Sequence, residues 1–133
     1  MGTKVLRIFV ALVCFMVISV PLPAHHGSAG YDMDKELVMK GTVTEWVWSN
    51  PHVQIYFDVK NNDGSVEHWA CETNSPGRLS RSGWKKDMVK PGDPITITLF
   101  RSKKGAAVGL LEKLELANGK EFAGQPRTKE ETQ

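Results

Sequence analysis

Long apolar runs are nearly absent from this sequence. The one present, residues 8–20, is about thirteen residues long, short of the ~20 that cross a bilayer as a helix. Cysteine is scarce as well: two in 133 residues, Cys14 inside that run and Cys71 in the body. A single body cysteine excludes an internal disulfide framework. Neither sign of charge dominates, with 17 basic residues against 15 acidic ones, so the clustered cations on which nucleic-acid binding largely rests are missing. There is no Gly-x-Ser-x-Gly elbow, His-Glu-x-x-His pair, phosphate loop or dinucleotide fingerprint. Cys71 has no motif pairing it with a histidine and an orienting group, and catalysis is not expected.

What is present begins with an address. Lys4 and Arg7 precede the apolar run and Pro21 ends it, the order of a secretory signal peptide whose apolar region spans ~7 to 15 residues. Small Ala24 suits the position before the cut, which assigns residues 1–24 to the signal peptide. Val13 ahead of Cys14 is not the small residue that a lipid anchor requires. Without Lys4 and Arg7 the basic and acidic counts are equal. The remaining chain, about 110 residues, is enough for one domain with its own core. These features predict a periplasmic or secreted protein with no stable membrane anchor after cleavage, and a Cys71 that is a buried, apolar-like thiol.

From residue 39 onward, short alternating segments separated by turn residues predict a mainly β domain. Residues 41–48 (GTVTEWVW) are β-branched and aromatic-rich and stop at Ser49-Asn50-Pro51, which predicts the first strand. Strict alternation sets Trp46 and Trp48 on one face and Val43 and Val47 on the other, with the larger pair inside or at the rim. Val53, Ile55, Phe57 and Val59 alternate with Gln54, Tyr56 and Asp58 in a second strand. Asn61-Asn62-Asp63-Gly64 is a hairpin turn, after which residues 66–73 return with Trp69 and Cys71 inside.

Ser75 before Pro76 starts a helix of about two turns that Gly83 stops. Pro91-Gly92-Asp93-Pro94 leads into a fourth strand carrying Ile95, Ile97 and Leu99. Residues 108–116 form a fifth, with Val108, Leu110, Leu114 and Leu116 on one face and Glu112 interrupting it, as a bulge or a position at the barrel rim would. Glu121 and Phe122 pair back after Asn118-Gly119. This is the order of an OB-fold: a small five- to six-stranded OB-like barrel with one short helix between strands three and four. The barrel is expected over residues 39–124, after a flexible segment 25–38 and before a disordered tail 125–133.

The runs AHHGSAGYD, KGTVTEWVWSNPH, HWACETNSPGRLSRSGWKKD and VKPGDPITI resemble a family of small exported bacterial proteins known only as a domain of unknown function. The likeness extends from Ala24 to about Gly124. Its most specific piece is Trp48, Asn50, Pro51 and His52, followed by the Gly-Trp-Lys-Lys-Asp run at 83–87. The resemblance implies export and a paired histidine directly after the cut, here His25 and His26. It implies no activity. In strand order the chain is also similar to exported bacterial OB-fold proteins of stress-related type.

With the cut after Ala24, His25 carries a free α-amine and an imidazole on one residue, a chelate suited to Cu(II). His26 and His52 add imidazoles, so His25, His26 and His52 are the candidate metal ligands and copper the candidate cofactor. Uncut, His-His-Gly-Ser is an ordinary polar hinge. His52 has a second reading, in which its ring satisfies backbone groups at the Asn-Pro turn. His68 is expected to point outward, and it gains interest only if folding sets it beside His52. Trp46, Trp48 and Tyr56 form the candidate ligand surface, an aromatic platform such as OB-folds use, weighed against core or rim packing. The expectation is an exported binding protein, not an enzyme, with no nucleic acid among its partners. A metal-free module that holds a protein or small ligand on the barrel face is the alternative.

Overall fold

The structure, a computed structural model, describes residues 28–124. The segment expected to be a signal peptide, its expected cleavage site, His25, His26 and the tail from residue 125 lie outside the described residues. A 3-10 turn at Ser28–Gly30 leads into β1 (Tyr31–Val47), then β2 (Gln54–Lys60) and β3 (Val66–Glu72). A helix α1 (Pro76–Arg81) and a long connection precede β4 (Pro94–Ser102), β5 (Val108–Leu116) and β6 (Glu121–Ala123). The strands follow the order β3-β2-β1-β4-β5-β6, and a further β3–β5 pairing closes the first five into a barrel. That seam is parallel while every other pairing is antiparallel. The architecture is the OB-like barrel that the strand order predicted, with β6 added along β5.

β1 is long because it serves two neighbours. Its first half pairs with β4, from Glu36 opposite Phe100 to Thr42 opposite Pro94, and its second half pairs with β2. It therefore starts at Tyr31, ten residues before the strand expected at 41–48 and inside the segment expected to be flexible. The polar sequence around Asp32 to Lys35 hid this, because the register breaks between Tyr31 and Glu36 and no alternation survives there.

Two bulges correct the facial assignments. In β1 the register shifts between Val43 and Glu45, leaving Thr44 as the extra residue. Val43 (1% exposed) and the Trp46 side therefore both turn toward the core, and only Val47 turns away. In β5, Leu111 pairs with Leu99 and Lys113 with Thr98, so Glu112 is the bulge residue. Leu111 and Leu114 enter the core, whereas Leu110 and exposed Val108 fall on the opposite face, not on one face with Leu114. A bulge adds one residue and so inverts everything beyond it.

The core holds Val53, Ile55, Phe57, Trp69, Cys71, Ile95, Ile97 and Leu99 as the alternation required. Trp84 closes one end: it is buried, stacks on Trp46 at 6.1 Å and donates from Nε1 to the Ala123 carbonyl at 3.1 Å. Pro76 occupies the first turn of α1, and Gly83, at φ +85°, follows its end. Such a left-handed residue is what lets the chain leave the helix.

Candidate functional site

The outer face of β2 and β3 collects the polar alternates of both strands. Gln54, Tyr56 and Asp58 from β2 face outward beside their partners Glu72, Ala70 and His68. Tyr56 Oη donates to Gln54 Oε1 at 2.8 Å. Asp58 Oδ1 and His68 Nδ1 lie 2.6 Å apart, the imidazole being 81% exposed. A groove of about 480 Å³ runs across this face, lined by Thr44, Tyr56, Asp58, His68 and Val108 among others.

His52 stands just before β2, after the cis Asn50–Pro51 bond. Its Nδ1 is 2.8 Å from the Thr73 carbonyl. A carbonyl only accepts, so Nδ1 carries the proton and, in the neutral ring, Nε2 carries the lone pair. This is an arrangement that orients metal-binding imidazoles, in which the backbone holds one nitrogen and the other is left to ligate. The ring braces the chain against Thr73, at the end of β3, and not against its own turn.

His52 and His68 are not brought together. His68 sits opposite Asp58, six residues along β2 from His52, about 20 Å at the strand rise. They cannot share an ion. Among the described residues no three His, Cys, Asp or Glu side chains cluster as a metal site.

The aromatic platform is also divided. Trp46 lies 5.7 Å from Trp48 by ring centroids and donates from Nε1 to the Lys86 carbonyl at 2.9 Å. Both rings pack against the core on the inner side of β1, whereas Tyr56 points to the outer face of β2. The Thr44 bulge turned the two tryptophans in, so the three do not form one surface.

One feature was not legible in the sequence. Tyr31 Oη donates to Glu72 Oε1 at 2.7 Å, joining residues 41 apart. Burial pushes the phenol well above its ordinary value, and the Glu72 carboxylate adds to this, so the hydroxyl stays a donor. Tyr31 pairs with Ser102 of β4, and β5 lies between β4 and β3; the side chain spans it. Beneath this corner Phe100 (1% exposed) and Leu110 (5%) are buried although they stand outside the barrel-core cluster.

A family of unknown function (DUF6152) matches residues 11–113. The chain belongs to that family. The resemblance noted from its histidine, Trp-x-Asn-Pro-His and Gly-Trp-Lys-Lys-Asp runs is thereby borne out, and it brings no activity with it. No curated protein matches the sequence. Among solved structures, the mitochondrial single-stranded DNA binding protein Rim1 of S. cerevisiae is similar over 62% of this chain and 93% of that one, at 8% identity and a TM-score of 0.48. A likeness of that grade carries no argument about ligand.

Proposed function

We propose that this family member is an exported, periplasmic binding protein that takes up a transition metal, copper first, at its mature N-terminus. Cleavage after Ala24 gives His25 an α-amine beside its imidazole, and these two donors form one chelate ring. His26 adds a third nitrogen, and His52 supplies Nε2 from the folded domain. The observation that supports this is the His52 Nδ1 contact with the Thr73 carbonyl, which leaves Nε2 as the free nitrogen. Balanced charge gives no electrostatic footprint for nucleic acid, and no nucleophile–base pairing argues for turnover.

The test is a Cu(II) titration of the chain processed to His25 beside the same chain with one extra N-terminal residue. Tight uptake lost on extension supports the chelate; equal, weak uptake by both removes it. A second reading draws on the groove along Tyr56, Asp58, His68 and Val108, a metal-free surface for a protein or small ligand. It predicts ligand-induced shifts at Tyr56 and His68 that are insensitive to the N-terminal extension.

A further inference from the structure

We propose that the first half of β1 is a docking edge for a second copy of this chain, the two strands pairing antiparallel about Val38. The proposal is independent of the metal reading. β1 gives one edge to β4 without a break from Glu36 to Thr42, and β2 joins its other edge only from Thr42 onward. Over residues 36–40 no strand among the described residues occupies that second edge. The Val43 amide donates to the Asp93 carbonyl at 2.9 Å, so odd-numbered residues of the unbroken ladder turn their N–H and C=O groups toward β4 and even-numbered ones turn theirs away. Pro94, which has no N–H, accordingly faces Thr42. Val38 and Lys40 thus direct backbone donors and acceptors at the open edge, and Val38 is 67% exposed.

The sequence of this edge, Glu36-Leu37-Val38-Met39-Lys40, is self-complementary. In an antiparallel pair related by a two-fold axis at Val38, Val38 meets its own counterpart, Leu37 meets Met39 of the second copy and Glu36 meets its Lys40. Leu37 and Met39 pack on the barrel core from the inner face, so apolar meets apolar there, while the outer face gains an opposite-charge pair on each side of Val38. Centring the pair on Leu37 or Met39 instead sets Val38 against Glu36 or Lys40. The backbone agrees with the side chains, since only an even-numbered centre lets the two central residues exchange both of their hydrogen bonds. Exposed edges are commonly guarded by lysine; Lys40 loses that role where a carboxylate stands opposite. Five residues a side, against the ~20–30 of a standard interface, make a small seam, so the dimer is expected to be weak and to build up with concentration.

The experiment is sedimentation equilibrium of the full chain, processed as in the cell, from micromolar to millimolar concentration, with amide exchange measured at both ends of the range. The native chain is expected to pass from monomer to dimer and the Val38 and Lys40 amides to slow with it, while the Leu37 and Met39 amides, which β4 holds, stay protected throughout. Val38→Lys sets like charges across the axis and is expected to abolish the dimer with melting unchanged, Val38 being exposed; should it unfold the protein, the charge pair carries the test. Glu36→Lys and Lys40→Glu each oppose like charges twice per dimer and are expected to weaken association about tenfold. The double reversal restores the native constant, which a merely local effect of either change does not give. A native chain still monomeric at millimolar concentration, a dimer in which Val38 and Lys40 exchange as fast as in the monomer, or a double reversal no tighter than the single ones overturns the proposal.

Discussion

Cys71 on β3 and Thr73 just past its end sit two residues apart and show what burial does to two small polar side chains. Cys71 is 1% exposed, and burial, with a lesser contribution from the Glu72 charge, pushes its thiol well above the ordinary value. The thiolate is the reactive form, so a thiol reagent should label Cys71 only as fast as the barrel unfolds; rapid labelling of the native protein would contradict its placement. Thr73 is fully buried, and its Oγ1 has no hydrogen-bond partner among the described residues. Its backbone is satisfied through Val53 and His52. Thr73→Val keeps the shape and removes an unpaired hydroxyl worth about 1–3 kcal/mol of desolvation, so urea unfolding should show a gain of about 1 kcal/mol. Both inward positions followed from alternation along 66–73. That Thr73 lacks a partner did not, because partners come from other strands.

At the scale of elements, the β2–β3 hairpin turn carries a pH-sensitive carboxylate. Asp63 Oδ1 accepts from the Ser65 hydroxyl at 2.6 Å and from its amide at 2.9 Å, and these bonds, the hydroxyl first, hold Asp63 below the usual carboxylate range. A folded value below the unfolded one means the contribution is present above the unfolded value and is lost as pH falls through the folded one. Asp63→Asn should therefore flatten the acid limb of stability against pH without altering the plateau's shape near neutrality, which thermal melts across pH 2–6 (about the carboxylate range) would read. The crossing of β1 over β2 makes a steric demand. A Cβ on Gly41 would lie 2.8 Å from Phe57 Cδ2 and 2.9 Å from the Asp58 carbonyl oxygen, and a backbone oxygen cannot swing aside. Gly41→Ala should cost about 1–3 kcal/mol, and a variant of native stability would show that the strands separate there. Turn chemistry at 61–65, the Ser75-Pro76 start and Gly83 stop were readable because they depend on neighbours in sequence. Bulges were readable only where a charged residue marked them: Glu112 did so in β5, whereas nothing about Thr44 in β1 announced one.

For the whole molecule, the barrel is closed by its weakest ladder. β3 and β5 share three parallel pairs, Ala70–Val108 to Glu72–Leu110, while β1 and β4 share an unbroken run from Glu36–Phe100 to Thr42–Pro94. Local opening follows the less supported pairing, so native-state hydrogen exchange should find Ala70, which donates to Ala107, opening at lower free energy than Ile97 or Leu99. Uniform protection would mean that the seam and the β1–β4 ladder open as one unit. The Tyr31–Glu72 bond crosses this seam, tying closure to the strand that emerges from the N-terminus. By itself the sequence determined the β class, the strand order, the helix position, the inward set of β2, β3 and β4 and the family resemblance, because a two-residue period and turn residues are local properties of the chain. Only the tertiary structure decided that β1 begins at Tyr31, that Val43 shares the inner side with the tryptophans, that His52 and His68 stand far apart and that Glu72 receives a phenol from 41 residues away. These depend on register between distant strands, and one bulged residue is enough to reverse it.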